Sequence, residues 1–299
     1  MKKLLSFMLF AAAVILSGCG DPDAEFNALK KEQHDAYSAI MAMWNDSIPP
    51  HFVHAIKCEK QAAENPQIAD SLLAVAQAER AAGNAVKERF TLVQRTHLDS
   101  IESLAQKYAH CAADAFGAYY CRRKSIGKDS LALLYKRATR HIRHSDAGKA
   151  AERYIKTSQL AKGDLFVTFD AIRADGSKFD WNVIDGKKVL LIDDGLWCMT
   201  HGMDNSAPVR FFDGLMGRDS NLVIIICLRS NNLSEVKGTI NEYGIGHYPV
   251  ISELKGDYGT LSWLYGNQTT PTCIYVTQDG TIMAITEGID TAAVDDLLQ

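Results

Sequence analysis

Apolar and polar positions alternate with a helical period over the first half of the chain. From residue 27 to residue 160, apolar residues recur three and four positions apart among many Ala, Glu, Lys, Arg and Gln residues. Residues at this spacing share one face of a helix, so the pattern predicts an all-α region. Pro49–Pro50 ends one helix, and Asn65–Pro66 starts another. Ser145 is typical of an N-cap, and we expect the last helix to reach Gly163.

A different pattern begins after Gly163, where short β-rich runs are separated by turns. The predicted strands are residues 165–171, 188–192, 222–228, 272–277 and 281–286. The predicted helices between and after them are residues 207–216, 233–243, 258–265 and 291–298. Strands that alternate with helices and end in a hairpin predict a mixed α/β sheet. The sequence therefore predicts a helical domain, residues 27–160, and an α/β domain, residues 161–299.

The N-terminus has the features of an export signal. Lys2 and Lys3 precede an apolar run, residues 4–16, which is shorter than the ~20 residues needed to span a bilayer. The run ends in Leu-Ser-Gly-Cys, which resembles the lipobox of bacterial lipoproteins. The resemblance implies removal of residues 1–18, a lipid such as palmitate on Cys19, and a tether over residues 19–26. An ordinary signal peptide that ends in cysteine is the alternative.

Composition narrows the possible classes of protein. The chain has 299 residues, 47% of them hydrophobic and 23% charged, which is enough apolar material for a substantial core. Its net charge of −4 and the lack of a long basic run give no reason to expect nucleic acid as a partner. Seven cysteines are too few and too scattered for a fold built on disulfides.

One cysteine stands where a nucleophile is expected. Cys198 follows the apolar run 188–192 and leads into a helix. At such a turn, unpaired backbone N–H groups and the helix dipole stabilise a thiolate. Further along, Thr270–Pro271 precedes another apolar run, and the bond before a proline can adopt the cis form.

Together these motifs resemble the thioredoxin-like fold, specifically the TlpA/ResA branch of membrane-tethered thiol-disulfide oxidoreductases. The motifs that carry the resemblance, in order, are the Asp175–Gly176 turn, Gly186-Lys-Lys-Val-Leu-Leu, Trp197–Cys198, Thr270–Pro271–Thr272 and the Gln278–Asp279–Gly280 hairpin. The resemblance covers residues 163–299. It implies an α/β thioredoxin-like C-terminal domain with a separate all-α N-terminal domain.

The same resemblance implies roles for particular residues. Cys198 would be the catalytic thiol, and Trp197 would flank it. The backbone of Thr270, next to a cis-Pro271, would pair with an extended peptide. Partners would then be protein thiols or disulfides, or an extended peptide, with the membrane reached through the lipid on Cys19. The location would be the bacterial cell envelope, facing the periplasm or the cell exterior.

Two departures from the family pattern affect the chemistry. His201 stands where the second cysteine of the family's Cys-X-X-Cys is found, so ordinary dithiol turnover cannot close. His201 either pairs with Cys198 and activates it, or is a partly exposed residue in a vacated position. Asp193–Asp194 stands where the family commonly has Phe-Trp, and a carboxylate there would oppose formation of a thiolate.

Two hypotheses follow for the function. The first is an enzyme that works through the single thiol Cys198, tuned by His201, with the resolving thiol supplied by a partner. The second is a redox-inactive thioredoxin-fold module that binds an extended peptide at Thr270 and Pro271. Peroxiredoxin chemistry is disfavoured, because Leu191 and Gly195 stand where that family's active-site motif has proline and threonine.

The remaining histidines and cysteines favour structural roles. Two histidine pairs at i, i+3 could offer nitrogens to a metal, but pairs without a further ligand usually lie on a solvated face, so we predict no metal and no cofactor. These pairs are His51 with His54 and His141 with His144.

The other cysteines are expected to be unreactive. Cys227 and Cys273 fall in apolar runs and are predicted to be buried. Cys111 and Cys121 on one continuous helix would be ~15 Å apart, whereas a disulfide needs Cα atoms within ~7 Å. A pairing of these two would need a helix break near Gly117.

Overall fold

The computed structural model describes residues 21–200 and 204–299. Cys19 and the predicted signal peptide lie outside the described residues, as does His201. The chain divides into two compact units, residues 1–104 and residues 105–299.

Long helices form the first unit. The α-helices are α1 (Pro22–Ser47), α2 (Pro49–Glu64) and α3 (Ala69–Tyr108), with a short 3-10 helix, Pro66–Ile68, between α2 and α3. The Asp21 side chain caps α1 by accepting a hydrogen bond from the backbone N–H of Asp23, at 3.0 Å. Helices α1 and α2 are divided at Pro49–Pro50, as the sequence predicts.

Helices α2 and α3 pack through small residues and are joined by ion pairs. Ala55, Cys58 and Ala76 form a buried cluster between them. Arg80 donates two hydrogen bonds to the carboxylate of Glu59, at 2.7 and 2.8 Å. Small side chains allow the backbones to approach closely, and the paired charges on the rim fix how the two helices are aligned.

Five short helices open the second unit. They are α4 (Ala113–Tyr120), α5 (Arg123–Ile126), α6 (Lys128–Arg137), α7 (Arg140–His144) and α8 (Asp146–Lys156). The Ser145 hydroxyl accepts a hydrogen bond from the N–H of Gly148, at 3.1 Å, so the predicted N-cap is confirmed. Helix α8 ends at Lys156, before the predicted end at Gly163.

The rest of the second unit is built around a mixed sheet. Its strands are β1 (Ile172–Arg173), β2 (Lys188–Asp193), β3 (Leu222–Cys227), β4 (Val250–Ser252), β5 (Thr272–Val276) and β6 (Ile282–Glu287). The helices of this part are α9 (Leu196–Thr200), α10 (Ala207–Arg218), α11 (Leu233–Tyr243), α12 (Thr260–Trp263) and α13 (Thr291–Leu298), with 3-10 helices at Trp181–Ile184 and Gly256–Tyr258. Within residues 105–200 and 204–299 the sheet order is β1-β4-β3-β2-β5-β6.

Strand β2 lies inside the sheet, parallel to β3 and antiparallel to β5. Its alternate residues enter two different cores: Leu190 and Ile192 face one, and Val189 and Leu191 face the other. Helices α10, α11 and α13 cover the first face, while aromatic residues and α12 cover the second. Burial on both faces explains why β2 is a continuous apolar run. The carboxyl end of β2 lies at one edge of the sheet, and Cys198 follows it in the chain.

One strand prediction is wrong, and the short strands β1 and β4 were not predicted. The segment 165–171 is not a strand, because its N–H groups bond elsewhere: that of Phe166 to the carbonyl of Gly280, and that of Val167 to the hydroxyl of Tyr265. The short strand β4 was not predicted from the pattern; three residues following Pro249 carry too little periodicity to be recognised.

The compact units divide at a different place from the predicted domains. Helices α4–α8 belong with the sheet, and the Tyr120 hydroxyl hydrogen-bonds the Ser262 hydroxyl at 2.9 Å. The N–H of Leu160 likewise donates to the carbonyl of Leu264, at 2.8 Å. The change of pattern near residue 161 therefore marks where helices give way to strands. The separate all-α domain, residues 27–160, stays a prediction.

Among the described residues, none of the helices combines the length and the apolar character that crossing a membrane requires.

Candidate functional site

Cys198 lies at the carboxyl edge of the sheet, in the first turn of α9. Strand β2 ends at Asp193, and the chain then turns through Asp194 and Gly195, both with positive φ, of 54° and 76°. The N–H of Cys198 donates to the carbonyl of Gly195, at 2.9 Å. The side chain of Cys198 is exposed. A strand that ends at a tight turn thus presents a thiol to solvent at the start of a helix.

The cis-proline segment forms the other wall of the site. The Thr270–Pro271 bond is cis, so the isomer that the sequence left open is settled. The Cys198 thiol lies within hydrogen-bonding reach of the Thr270 carbonyl, with Sγ and oxygen 3.8 Å apart. Residues 72 positions apart in sequence are therefore brought together.

Gly195 allows this close approach. A Cβ atom at that position would lie 2.3 Å from the backbone nitrogen of Pro271 and 2.6 Å from its Cδ. Atoms do not pack that closely, so the proline ring can rest against the active-site turn only because residue 195 is glycine. Gly195 is a site residue that the sequence reasoning did not identify.

Two aromatic side chains lie near Cys198. Trp197 is 68% exposed, so its indole offers apolar surface beside the thiol rather than filling the core. Tyr243, at the end of α11, is buried. Burial, and then the charges of Glu242, Asp194 and Cys198, raise the pKa of Tyr243, so the phenol is protonated at neutral pH.

Asp193 is buried and fully paired below the active-site turn. Its side chain is 0% exposed and accepts two hydrogen bonds from the Arg229 guanidinium, at 2.9 and 2.7 Å. The amide of Asn267 donates a third, at 2.8 Å. Burial disfavours the charged form of Arg229, but the hydrogen bonds and charge of Asp193, together with Asp257, outweigh it, so the pKa of Arg229 is raised. The carboxylate of Asp193 is therefore matched by a guanidinium.

Asp194 also bonds within the turn. One carboxylate oxygen accepts from the N–H of Gly195, at 2.7 Å, and the other from the N–H of Arg229, at 3.1 Å. These bonds tie the active-site turn to the end of β3. The acidic pair that the sequence presents as a departure from the family thus serves to hold the loops around Cys198.

Sequence reasoning missed Arg229 and Asn267, and also Arg123, whose guanidinium donates to the backbone carbonyl of Asn267. Arg229 follows the apolar run of β3, where a charged residue is unexpected, and that was the available signal. Asn267 and Arg123 carry no comparable signal, because each is recognised only once the chain is folded.

Two further cysteines of the described residues lie in the strands next to the site. Cys227 and Cys273 are buried, as predicted. Burial raises the pKa of Cys273 to about 12, and burial together with the Asp193 charge raises that of Cys227. Among the described cysteines none forms a disulfide. Cys111 and Cys121 flank α4 after a break that follows Tyr108, so the chain breaks earlier than at Gly117.

The histidine pairs have protein partners. Both Nδ1 atoms of the first pair contact one carboxylate, with His51 at 2.6 Å and His54 at 3.0 Å from Glu79 oxygens. The His144 Nδ1 lies 2.7 Å from the carbonyl of Arg140. Over residues 21–200 and 204–299, no cluster of three or more His, Cys, Asp or Glu side chains has a geometry that could hold a metal ion.

Comparisons with known proteins give structural similarity alone. No family model and no curated protein matches the sequence. A thiol-disulfide oxidoreductase from Bacteroides fragilis is similar at 15% identity and a TM-score of 0.39, over 45% of this chain and 99% of that one. The thioredoxin domain of a thiol-disulfide oxidoreductase from Bacteroides vulgatus is similar at 20% identity and a TM-score of 0.37, over 47% and 94%. A thiol peroxidase from Chromobacterium violaceum is similar at 16% identity and a TM-score of 0.37, over 48% and 88%.

Proposed function

We propose that this chain is a lipid-anchored thioredoxin-like protein of the bacterial cell envelope, in which Cys198 reacts with disulfides of extended peptides. The observation that carries the proposal is the exposed Cys198 thiol within reach of the Thr270 carbonyl, beside a cis-proline. An extended peptide laid along Thr270 would bring its own sulfur to Cys198 while pairing its backbone with the protein. The anchor would be the lipid on Cys19, and a separate helical domain would carry the module.

The reaction uses one thiol of this chain. The Cys198 thiolate attacks one sulfur of a substrate disulfide, forming a new S–S bond as the substrate bond breaks and its second sulfur leaves as a thiolate. A thiol of a second protein, or a small thiol, then attacks the mixed disulfide and regenerates Cys198. The external thiol is then joined to the substrate sulfur, and a second external thiol attacks that disulfide. Two external thiols thereby become one disulfide, and the substrate disulfide is reduced to two thiols. His201 would assist by stabilising the Cys198 thiolate.

A decapeptide whose single cysteine is disulfide-bonded to thionitrobenzoate provides a direct test. Attack by Cys198 on the peptide sulfur releases the coloured thiolate, whose appearance gives the rate. We expect the peptide to react faster than Ellman's reagent, which releases the same group without offering a peptide backbone. Cys198→Ser should abolish the fast phase, whereas the matched control Cys121→Ser should retain it. Equal rates for the two probes would contradict peptide recognition.

A second function, peptide binding without redox chemistry, is favoured by one observation. The exposed indole of Trp197 and the backbone of Thr270 form a surface whose binding does not depend on a thiol. Under this alternative, Cys198→Ser should leave the affinity for a cysteine-free peptide unchanged, as measured by fluorescence anisotropy. Thr270→Trp should weaken that affinity. A peptide that binds only when Cys198 is present would exclude the alternative.

A further inference from the structure

We call residues 267–270 the docking loop. Each of its backbone carbonyl groups lies against a side chain from one of three other parts of the fold. Arg229 reaches two of them: its Nη1 lies 3.4 Å from the carbonyl oxygen of Gln268, and its Nη2 lies 3.3 Å from that of Thr269. The next carbonyl, that of Thr270, faces the Cys198 thiol. The loop that ends at the cis-proline is thus held through its backbone carbonyls.

The first carbonyl of the docking loop, that of Asn267, is held by an arginine of α5. Arg123, in α5, donates through Nη2 to the carbonyl of Asn267 and through Nη1 to that of Tyr120, the latter at 3.3 Å. Only 2% of Arg123 is exposed, and its guanidinium lies over the rings of Tyr120 and Tyr154, 4.6 and 5.6 Å from the ring centres. A buried cation is costly, and these two hydrogen bonds and two ring contacts offset part of that cost.

Neighbouring contacts reinforce the link between α5 and the docking loop. The backbone N–H of Lys124 donates to the side-chain oxygen of Gln268, at 2.7 Å. The Lys124 ammonium lies 3.0 Å from the carboxylate of Glu287, on β6. Helix α5 therefore lies directly behind the loop that would bind a peptide.

The two arginines are connected through one buried carboxylate. Asp193 pairs with Arg229 and also accepts from the amide of Asn267, the residue whose carbonyl Arg123 holds. Among the described residues, Nε of Arg123 and Oδ1 of Asn267 are buried without hydrogen-bond partners.

We propose that Arg123 and Arg229 are positioning residues of the Cys198 site, which hold the docking loop so that Thr270 and Pro271 face the thiol and favour peptide disulfides over small ones. This inference rests on the proposed function. It adds that α5, one of the helices α4–α8, takes part in selecting the substrate. Displacing the loop by about 1 Å would be enough to lower the rate about a hundredfold for a substrate that depends on it.

Lysine substitutions test the positioning role while keeping the charge. Arg229→Lys and Arg123→Lys each lose the planar fork that spans two acceptors. Each should lower the rate with the decapeptide disulfide at least about tenfold. The rate with Ellman's reagent should be unchanged, because that reagent does not use the docking loop. The ratio of the two rates is the informative quantity, since a merely destabilised protein would lose both.

Arg218→Lys is the matched control, because Arg218 is an exposed arginine paired with Asp295, at 2.7 Å, on α13. It should leave the ratio of the two rates at the wild-type value. An unchanged ratio in both Arg123→Lys and Arg229→Lys, in chains whose far-ultraviolet circular dichroism is normal, would overturn the positioning role.

Hydrogen exchange separates this inference from the proposed function. Amides of residues 268–270 and 272 should exchange faster in Arg123→Lys and Arg229→Lys than in the wild type, with β2 and β3 unaffected. If the wild-type chain does not prefer the peptide but the loop exchanges faster in the variants, the proposed function fails and the positioning of the loop stands. If the loop amides exchange at the wild-type rate in both variants, the positioning role itself is refuted.

Discussion

Replacing Gly195 with alanine tests whether the close contact between the active-site turn and the cis-proline is necessary. The added Cβ would meet the Pro271 nitrogen at 2.3 Å, its Cδ at 2.6 Å and its Cα at 2.7 Å. These are backbone or ring atoms, which cannot rotate away as the end of a flexible side chain can. Residue 195 also has φ of 76°, a conformation that alanine adopts only with strain. Gly195→Ala should therefore destabilise the second unit in two ways.

The size of the effect follows from these two contributions. The left-handed backbone costs about 1–2 kcal/mol for a residue with a Cβ, and the forced displacement of packed atoms costs about 1–3 kcal/mol more. The free energy of unfolding should thus fall by about 2–5 kcal/mol. Gly186→Ala is the matched control, because Gly186 has φ of 66° but no atom within 4 Å of the position of a Cβ. That variant should lose only the backbone contribution, about 1–2 kcal/mol.

Urea unfolding followed by tryptophan fluorescence would measure the difference. A Trp44→Phe background removes the tryptophan of residues 1–104, so the signal comes from Trp181, Trp197 and Trp263 in the second unit. This background is needed because two compact units need not unfold as one. If Gly195→Ala and Gly186→Ala lose the same stability, to within about 0.5 kcal/mol, the contact with Pro271 contributes nothing and the reasoning is refuted.

Two further predictions concern buried groups of the second unit. Burial raises the pKa of Glu253 above its usual 4.5, although hydrogen bonds from Thr260 and Lys255 oppose the shift. The contribution of Glu253 to stability should therefore be greatest below pH 4.5 and decline as the pH rises through the folded pKa. Glu253→Gln should remove this decline in unfolding free energy, and an unaltered slope would contradict it. Iodoacetamide should label the exposed Cys198 well before Cys273, whose pKa burial raises to about 12; mass spectrometry showing equal labelling of the two in the folded chain would exclude the described burial.

The central strands could be predicted because their residues are buried on both faces. The runs that became β2, β3 and β5 contain almost only β-branched and other apolar residues, and burial on both faces is what produces such runs. Helices α11 and α13 agree with the predicted bounds 233–243 and 291–298. Cys198 approaches Thr270 because β2 and β5 are neighbouring strands whose ends meet at one edge of the sheet.

The rest of the site depends on contacts between distant positions, which periodicity does not encode. Arg123 and Asn267 are 144 positions apart, and Asp193 and Arg229 are 36 apart. Nothing local distinguishes Arg123, which is buried, from the exposed arginines that are common in helices. Composition likewise does not separate α4–α8 from the earlier helices, although contacts join them to the sheet in one compact unit.

The buried ion pair of Asp193 and Arg229, below Cys198, is costly in free energy compared with apolar packing. Removing one partner of a buried pair such as Asp193 and Arg229 costs about 3–5 kcal/mol, whereas a well-packed apolar pair of similar volume often gives equal or greater stability. Stability alone therefore does not account for the network. An apolar pair would fill the interior but could not donate hydrogen bonds to the docking loop carbonyls, as Arg229 does at Gln268 and Thr269. What the charges add is a set of hydrogen bonds that hold the loop beside Cys198, which is the position that the proposed peptide site needs.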